Sequence, residues 1–225
     1  MATVPVYTII GRCNKLLNDP DYVRWPKAEL VGWFNDAQKA IVLVRPDAHT
    51  KNVEFSAAAG TKQALPTDAL RLIDVPRNVG GKVIRYVARK ALDDSYPEWH
   101  EDKTATKVDA FVYDERDPKT FYLYPGCVAG TKVDLVYSVA PQENTLAEVE
   151  STTAPAVCDL DDIYINPLID FVLYRAYSKD AEYAANTNLA QSHYQAYLQQ
   201  LGDKTTVDGN MEQRQKAQFT GPTGR

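Results

Sequence analysis

Apolar residues recur at helical spacing twice near the start of the chain. Val6, Ile9, Ile10, Cys13, Leu16 and Leu17 share one face, and Pro5 suits a first turn, which predicts a helix from about Pro5 to Leu17 ended by Asn18-Asp19-Pro20. Trp25-Pro26 opens a second helix in which Leu30, Trp33, Phe34, Ala37, Ala40, Ile41 and Val44 line a wide apolar face, closed by Arg45-Pro46. The two helices are expected to form an antiparallel pair.

From His49 the period shortens. Val53, Phe55 and Ala57 alternate ahead of the small-residue stretch Ala58-Ala59-Gly60-Thr61, the pattern of a strand and a hairpin bend. Leu72–Val75, Val83–Ala88, Val108–Tyr113, Phe121–Tyr124 and Lys132–Ser138 are further β-branched or aromatic runs, separated by Asn78-Val79-Gly80-Gly81, Asp117-Pro118 and Pro125-Gly126. Strands this short and this close suggest an antiparallel sheet or a small sandwich.

Residues 141–158 are rich in Pro, Glu, Thr and Ser without periodicity and read as an exposed loop. A third, central helix follows, capped by Asp161 or Asn166 and dense in Leu168, Ile169, Phe171, Val172, Leu173 and Ala176. A fourth is predicted from about Asp180, with Ala190, Tyr194, Tyr197, Leu198 and Leu201 on one stripe and Gly202 past its end. The remainder, 203–225, is poor in apolar residues beyond Val207, Met211 and Phe219, so it is expected to be a flexible arm that orders against a partner. The fold class is therefore α+β: a four-helix core from 1–48 and 159–202, a β-rich insertion at 49–140, a loop at 141–158 and the C-terminal arm.

Composition changes this picture little. Hydrophobic residues are 44% and charged residues 24% of 225, as in ordinary globular domains. The net charge of -5 argues against general attraction to nucleic acid, while an acidic wall would let DNA pass without sticking. Cys13, Cys127 and Cys158 have no disulfide or zinc spacing and read as buried thiols; His49, His100 and His193 form no metal motif. No glycine motif of a phosphate loop or nucleophile elbow occurs, so neither metal nor cofactor is expected. The first residues lack the pattern of a signal peptide, and no apolar run reaches membrane-span length, which places synthesis and assembly in the cytoplasm.

Three places carry candidate chemistry. Asp114, Glu115, Arg116 and Asp117 are the densest charge cluster; two carboxylates there would suit the acid and base of a glycoside hydrolase, whereas Pro118 places them in a solvated hairpin turn. Trp99, after Tyr96-Pro97-Glu98, is the best single interface anchor, unless its ring simply covers the sheet; Trp33 belongs to the core and Trp25 to a staple at a helix start. In the arm, Asn210 and Gln213 have capping-box form, so 211–218 is expected to become helical on binding, with Met211, Arg214 and Phe219 as contacts.

Four segments carry a resemblance: Arg24-Trp25-Pro26 with Glu29-Leu30 and Asn35-Asp36-Ala37-Gln38; Arg45-Pro46-Asp47-Ala48; Tyr113-Asp114-Glu115-Arg116-Asp117-Pro118 with Phe121-Tyr122; and Tyr174-Arg175-Ala176-Tyr177-Ser178-Lys179-Asp180. In this order, over about Tyr7 to Leu201, the chain resembles the head-to-tail adaptors of tailed phages, similar to portal-bound, tail-tubular-A-type gatekeepers. The resemblance implies a structural part of the virion with no catalytic activity: a ring of twelve copies matched to the portal, gripping it with helices and arm while the β part faces a tail nozzle or tube protein. It also implies that genomic DNA passes through the lumen without sequence-specific binding, and that no membrane is involved. Within it, Asp114 and Arg116 are placed to hold their turn or to link neighbours, and Trp99 to contact ring or tail. The rival from another class is a virion-associated cell-wall glycoside hydrolase using Asp114, Glu115 and Asp117.

Overall fold

The structure, a computed structural model, describes residues 3–101, 103–180, 182 and 184–219, with 203–219 as backbone. The chain divides into two compact units: residues 42–141, and the flanking 1–41 together with 142–225.

In the flanking unit, α1 (Val6–Leu17) buries Val6, Ile9, Ile10, Cys13 and Leu17 and ends on Asn18, whose left-handed φ of 55° suits a helix stop. Leu16, predicted for the apolar face, is exposed. The helix α2 (Lys27–Val44) is launched by the loop before it: the Asp19 carboxylate accepts the backbone N–H groups of Val23, Arg24 and Trp25 at 2.9–3.1 Å. Trp25 is buried and donates its indole N–H to the carbonyl of Ala176 at 3.1 Å, tying the start of α2 to α5 (Ile165–Lys179). In the same unit α1 packs on α5, and α5 on α6 (Ala184–Phe219). Trp33, expected in the core, is only half-buried.

Two expectations for this unit are corrected. The segment 141–158 is not a plain exposed loop. It contains α4 (Leu146–Val149), started by a capping box in which Thr145 and Glu148 satisfy each other's backbone N–H groups. Its flanks are fastened to the helices: Asn144 and Asn35 exchange hydrogen bonds at 3.0 Å, and Val6 N–H donates to Ala156 O at 2.9 Å. Secondly, the last helix does not stop at Gly202. It continues to Phe219, so the arm is helical in backbone as far as it is described. An interior glycine costs only about 1 kcal/mol relative to Ala, and no proline interrupts the chain before Pro222.

The central unit holds two sheets, one ordered β1–β7–β3 and the other β2–β6–β5–β4. The strands are β1 (Thr50–Ser56), β2 (Gly60–Ala64), β3 (Ala69–Asp74), β4 (Arg85–Tyr86), β5 (Ala110–Tyr113), β6 (Thr120–Cys127) and β7 (Lys132–Val139), with a short α3 (Arg89–Ser95) before β5. Leu72, Val133 and Leu135 from the first sheet and Phe111, Phe121 and Leu123 from the second share one core. The sheets are antiparallel except that β4 runs parallel to β5, which departs from the purely antiparallel expectation. The expected hairpin after β1 is also absent: β1 pairs with β7 and β2 with β6. A side chain makes the bend instead, because buried Gln63 accepts from Ala58 N–H at 2.7 Å and donates to Ala58 O at 2.9 Å.

Buried Asn78 is a second organising polar group that sequence reading passed over. Its amide donates to Val108 O at 2.7 Å and to Lys82 O at 3.0 Å, and accepts from Val108 N–H at 2.8 Å. The turn after β3 is thereby pinned to the chain entering β5.

Candidate interaction surfaces

The charge cluster sits in the β5–β6 turn, closed by Asp117 N–H on Asp114 O at 3.0 Å. Arg116 folds back on Asp114 in a two-point pair, Nε to Oδ1 at 3.0 Å and Nη2 to Oδ2 at 2.7 Å. Hydrogen bonds from the Arg116 side chain and backbone hold the Asp114 carboxyl down to about 2. Glu115 turns away to Arg71 at 2.8 Å. A general acid for glycoside cleavage needs a raised pKa, so Asp114 is tuned in the wrong direction for that role. What the turn does offer is a rigid exposed tip, since the Arg116 side chain is 90% exposed even while paired.

Trp99 does not fill the role of a free anchor. It is 4% exposed, stacked on His100 at 3.7 Å between ring centroids, with Tyr122 and Tyr124 edge-on at 5.9 and 6.3 Å. Its indole N–H donates to Asp93 on α3 at 2.9 Å. The ring covers the sheet and shares a small core with Leu92 and Val112. The aromatic this segment presents to solvent is Tyr96, 60% exposed and stacked on Tyr124.

Along α5 and α6 a row of rings pairs the two helices: Tyr174 with Tyr194 at 4.9 Å and Phe171 with Tyr197 at 5.3 Å. Asp170 accepts from Gln200 at 2.7 Å and lies 2.9 Å from His193 Nδ1, while His193 stacks on Tyr177. His193, expected on a bare helix surface, is therefore part of the helix pairing. Leu189, Tyr194 and Leu198 remain exposed on α6. Met211, Arg214 and Phe219 fall on the last turns of α6, and their side chains lie outside the described part of the structure.

The flanking unit also holds a cleft of about 640 Å³ that no sequence motif announced. Ile10, Val31 and Val149 contribute buried apolar residues to its lining, and Tyr7 and Tyr22 are its aromatic residues. Lys27 pairs with Glu150 at 2.7 Å and sits 4.9 Å over the Tyr22 ring. Tyr22 has a φ of 56°, a left-handed conformation that costs a non-glycine residue energy. The hydrogen bonds that Asp19 accepts just beyond it hold the loop in place, and those N–H groups, Trp25 foremost, keep the Asp19 carboxyl below its ordinary range.

Charge is divided unevenly. The central unit carries 14 Lys and Arg against 14 Asp and Glu, and the flanking unit 11 against 16, so the whole net charge of -5 belongs to the latter. Residues 142–174 alone contain seven Asp and Glu and no Lys or Arg. All three cysteines are buried, and burial pushes the thiols of Cys13 and Cys158 up to about 12. Among the described residues no group of three or more His, Cys, Asp or Glu is placed to hold a metal, and no helix is long and apolar enough to cross a membrane.

The family described as SU10 adaptor protein matches the chain over residues 5–222. Comparison with curated proteins gives no match. The chain belongs to the SU10 adaptor family, head-to-tail adaptors of tailed phages, and its fold is the α+β arrangement described above.

Proposed function

We propose that this SU10 adaptor closes with eleven further copies into a ring on the portal, prolongs the DNA channel, retains the genome and docks a tail nozzle or tube protein. Family membership supports the structural adaptor role, and with it a place in the virion at the head–tail interface after assembly in the host cytoplasm. The docking part of the reading rests on one observation, the length of α6. That helix has 36 residues against 15 in α5. Leu201 is buried in the paired part of the helix, and residues 202–219 continue the backbone helix for about 27 Å at the usual helical rise. A helix with so few apolar residues gains little from its own chain and is worth extending only toward a partner.

In this reading Met211, Arg214 and Phe219 contact the portal, and the β unit faces the tail. Its exposed Asp114–Arg116 tip makes ring or tail contacts, and Trp99 acts from beneath by supporting Tyr96. DNA crosses the lumen without sequence-specific contacts, as the acidic balance of the flanking unit favours.

The test uses purified portal rings and two forms of the adaptor, the full chain and a chain ending at Gly202. Both are expected to give the same cooperative melt, since the α5–α6 pairing is retained, and only the full chain to co-migrate with the portal. Equal binding by the shortened chain would refute the role given to the arm. Met211→Ser with Phe219→Ser in the full chain is expected to weaken binding in the same direction.

A further inference from the structure

The segment after α3 brings rings and carboxylates to one place. Ser95, Tyr96, Pro97, Glu98, Trp99 and Tyr124 line a cleft of about 480 Å³ within the central unit. We infer that this cleft takes an arginine side chain carried by a basic segment of another protein. The inference rests on the adaptor reading for where that protein sits, on the tail side of the β unit, and adds what it must present.

The cleft is firmly built. Tyr96 N–H donates to Leu92 O at 2.8 Å, Trp99 N–H to Tyr96 O at 3.0 Å and Glu101 N–H to Glu98 O at 2.9 Å, so hydrogen-bonded turns follow α3 directly. Trp99 backs the cleft: it is buried, donates its indole N–H to Asp93 and stands edge-on to Tyr124 at 6.3 Å. Tyr96 keeps 60% of its surface in water and stacks on Tyr124 with 30° between the rings. A side chain docking on rings already held in place costs little further ordering.

Charge selects the occupant. Residues 91–102 contain five Asp and Glu and no Lys or Arg. Asp93 is engaged by Trp99 and, at 3.3 Å, by Arg89. Glu98 in the cleft lining, with Asp94 and Glu101 on the same segment, is exposed, and among the described residues these three form no ion pair with Lys90, Lys103 or any other base. An apolar segment seated here would bury Glu98 without a counter-charge, and an acidic segment or a DNA phosphate would be repelled. A cation is drawn both by the carboxylate and by the negative faces of the tyrosine rings. Of the two basic side chains, the planar guanidinium can stack on a ring while its N–H fork reaches a carboxylate, whereas an ammonium is a point charge with no stacking face. The exposed arginine of this chain's own β5–β6 tip is already held at two points by Asp114, which argues against a second copy's tip as the donor. One arginine in a cleft makes a weak contact, and a ring repeats it once per copy.

Peptide binding tests this. The full chain is titrated into a fluorescein-labelled peptide of alternating Gly and Arg, and into its Gly–Lys counterpart, at about 0.15 M salt, where distant charge attraction is screened. Anisotropy is expected to show saturable binding of the arginine peptide, with the lysine peptide weaker by about threefold or more. Tyr96→Leu keeps bulk and removes the ring; Glu98→Gln keeps shape and removes the charge. Each is expected to weaken arginine binding by about threefold or more and to leave the urea melt unchanged. No saturable binding, equal binding of the two peptides, or indifference to either variant would each overturn the inference. Displacement of the arginine peptide by equimolar maltotriose would assign the cleft to a neutral sugar, and self-association of the chain that Tyr96→Leu abolishes would assign it to a second copy; either result overturns the inference too. The adaptor reading fails separately: arginine binding by a chain found outside the head–tail junction keeps the site and removes the adaptor role.

Discussion

Asn78 makes the sharpest stability test in the central unit. It is 4% exposed, and its side chain satisfies both the N–H and the carbonyl of Val108 as well as the carbonyl of Lys82. Asn78→Ala deletes three hydrogen bonds and strands the N–H and the carbonyl of Val108, a fully buried residue. Each stranded group costs about 1–3 kcal/mol, so the expected loss is about 2–6 kcal/mol. That is a large share of the ~5–15 kcal/mol that holds a domain folded, and corresponds to roughly 10 °C in Tm for a chain of this size. Asn78→Asp refines the test. Ionised, its second oxygen faces two carbonyls and only repels them; protonated, it donates to one. Its folded pKa is therefore raised above the ~3.9 of a free carboxyl, and the variant should regain stability as pH falls through that raised value. Urea melts of the three proteins at pH 7 and pH 4.5 measure both effects. A loss under about 1 kcal/mol in Asn78→Ala, or an Asn78→Asp variant indifferent to pH, would refute the clamp.

Three further outcomes follow from the geometry. Asp114, held down to about 2 by Arg116, has a depressed folded pKa, so the pair is fully present above pH ~4 and is lost as pH falls through about 2; NMR titration should show Arg116→Ala returning Asp114 toward its ordinary range. Trp25→Phe removes the bond to Ala176 O and part of a buried ring, and should cost about 1–3 kcal/mol by chemical denaturation. The thiols of Cys13 and Cys158 should stay unlabelled by a maleimide at pH 8 in the native protein and react at once in urea, because burial and a pKa of about 12 leave almost no thiolate.

Periodicity made α1, α2 and α5 legible because each buries one face at regular spacing, and Asp117-Pro118 marked the β5–β6 turn. Where the pattern failed, a single side chain or a distant strand decides the outcome. The separation of β1 and β2 into different sheets depends on the Gln63 amide turning the bend at Ala58, which no alternation of apolar residues encodes. The short α3 buries only Leu92 and so has no stripe to read. Thr145 and Glu148 did carry the capping-box signal of α4, hidden in a stretch whose composition suggested a loop. Burial of Trp99 follows from Tyr122 and Tyr124 being brought beneath it by β6, a fact of topology rather than of its local sequence. The cleft is built from α1, from α2 with the loop before it, and from α4 with the segment after it, stretches that lie far apart along the chain.

The most direct test of the adaptor account is a cryo-EM reconstruction of the particle that carries this chain. The account predicts a closed ring of its density between portal and tail, with the C-terminal part of α6 against the portal and the β unit toward the tail. Density for the chain elsewhere, or an intact head–tail junction from which it is missing, would contradict it.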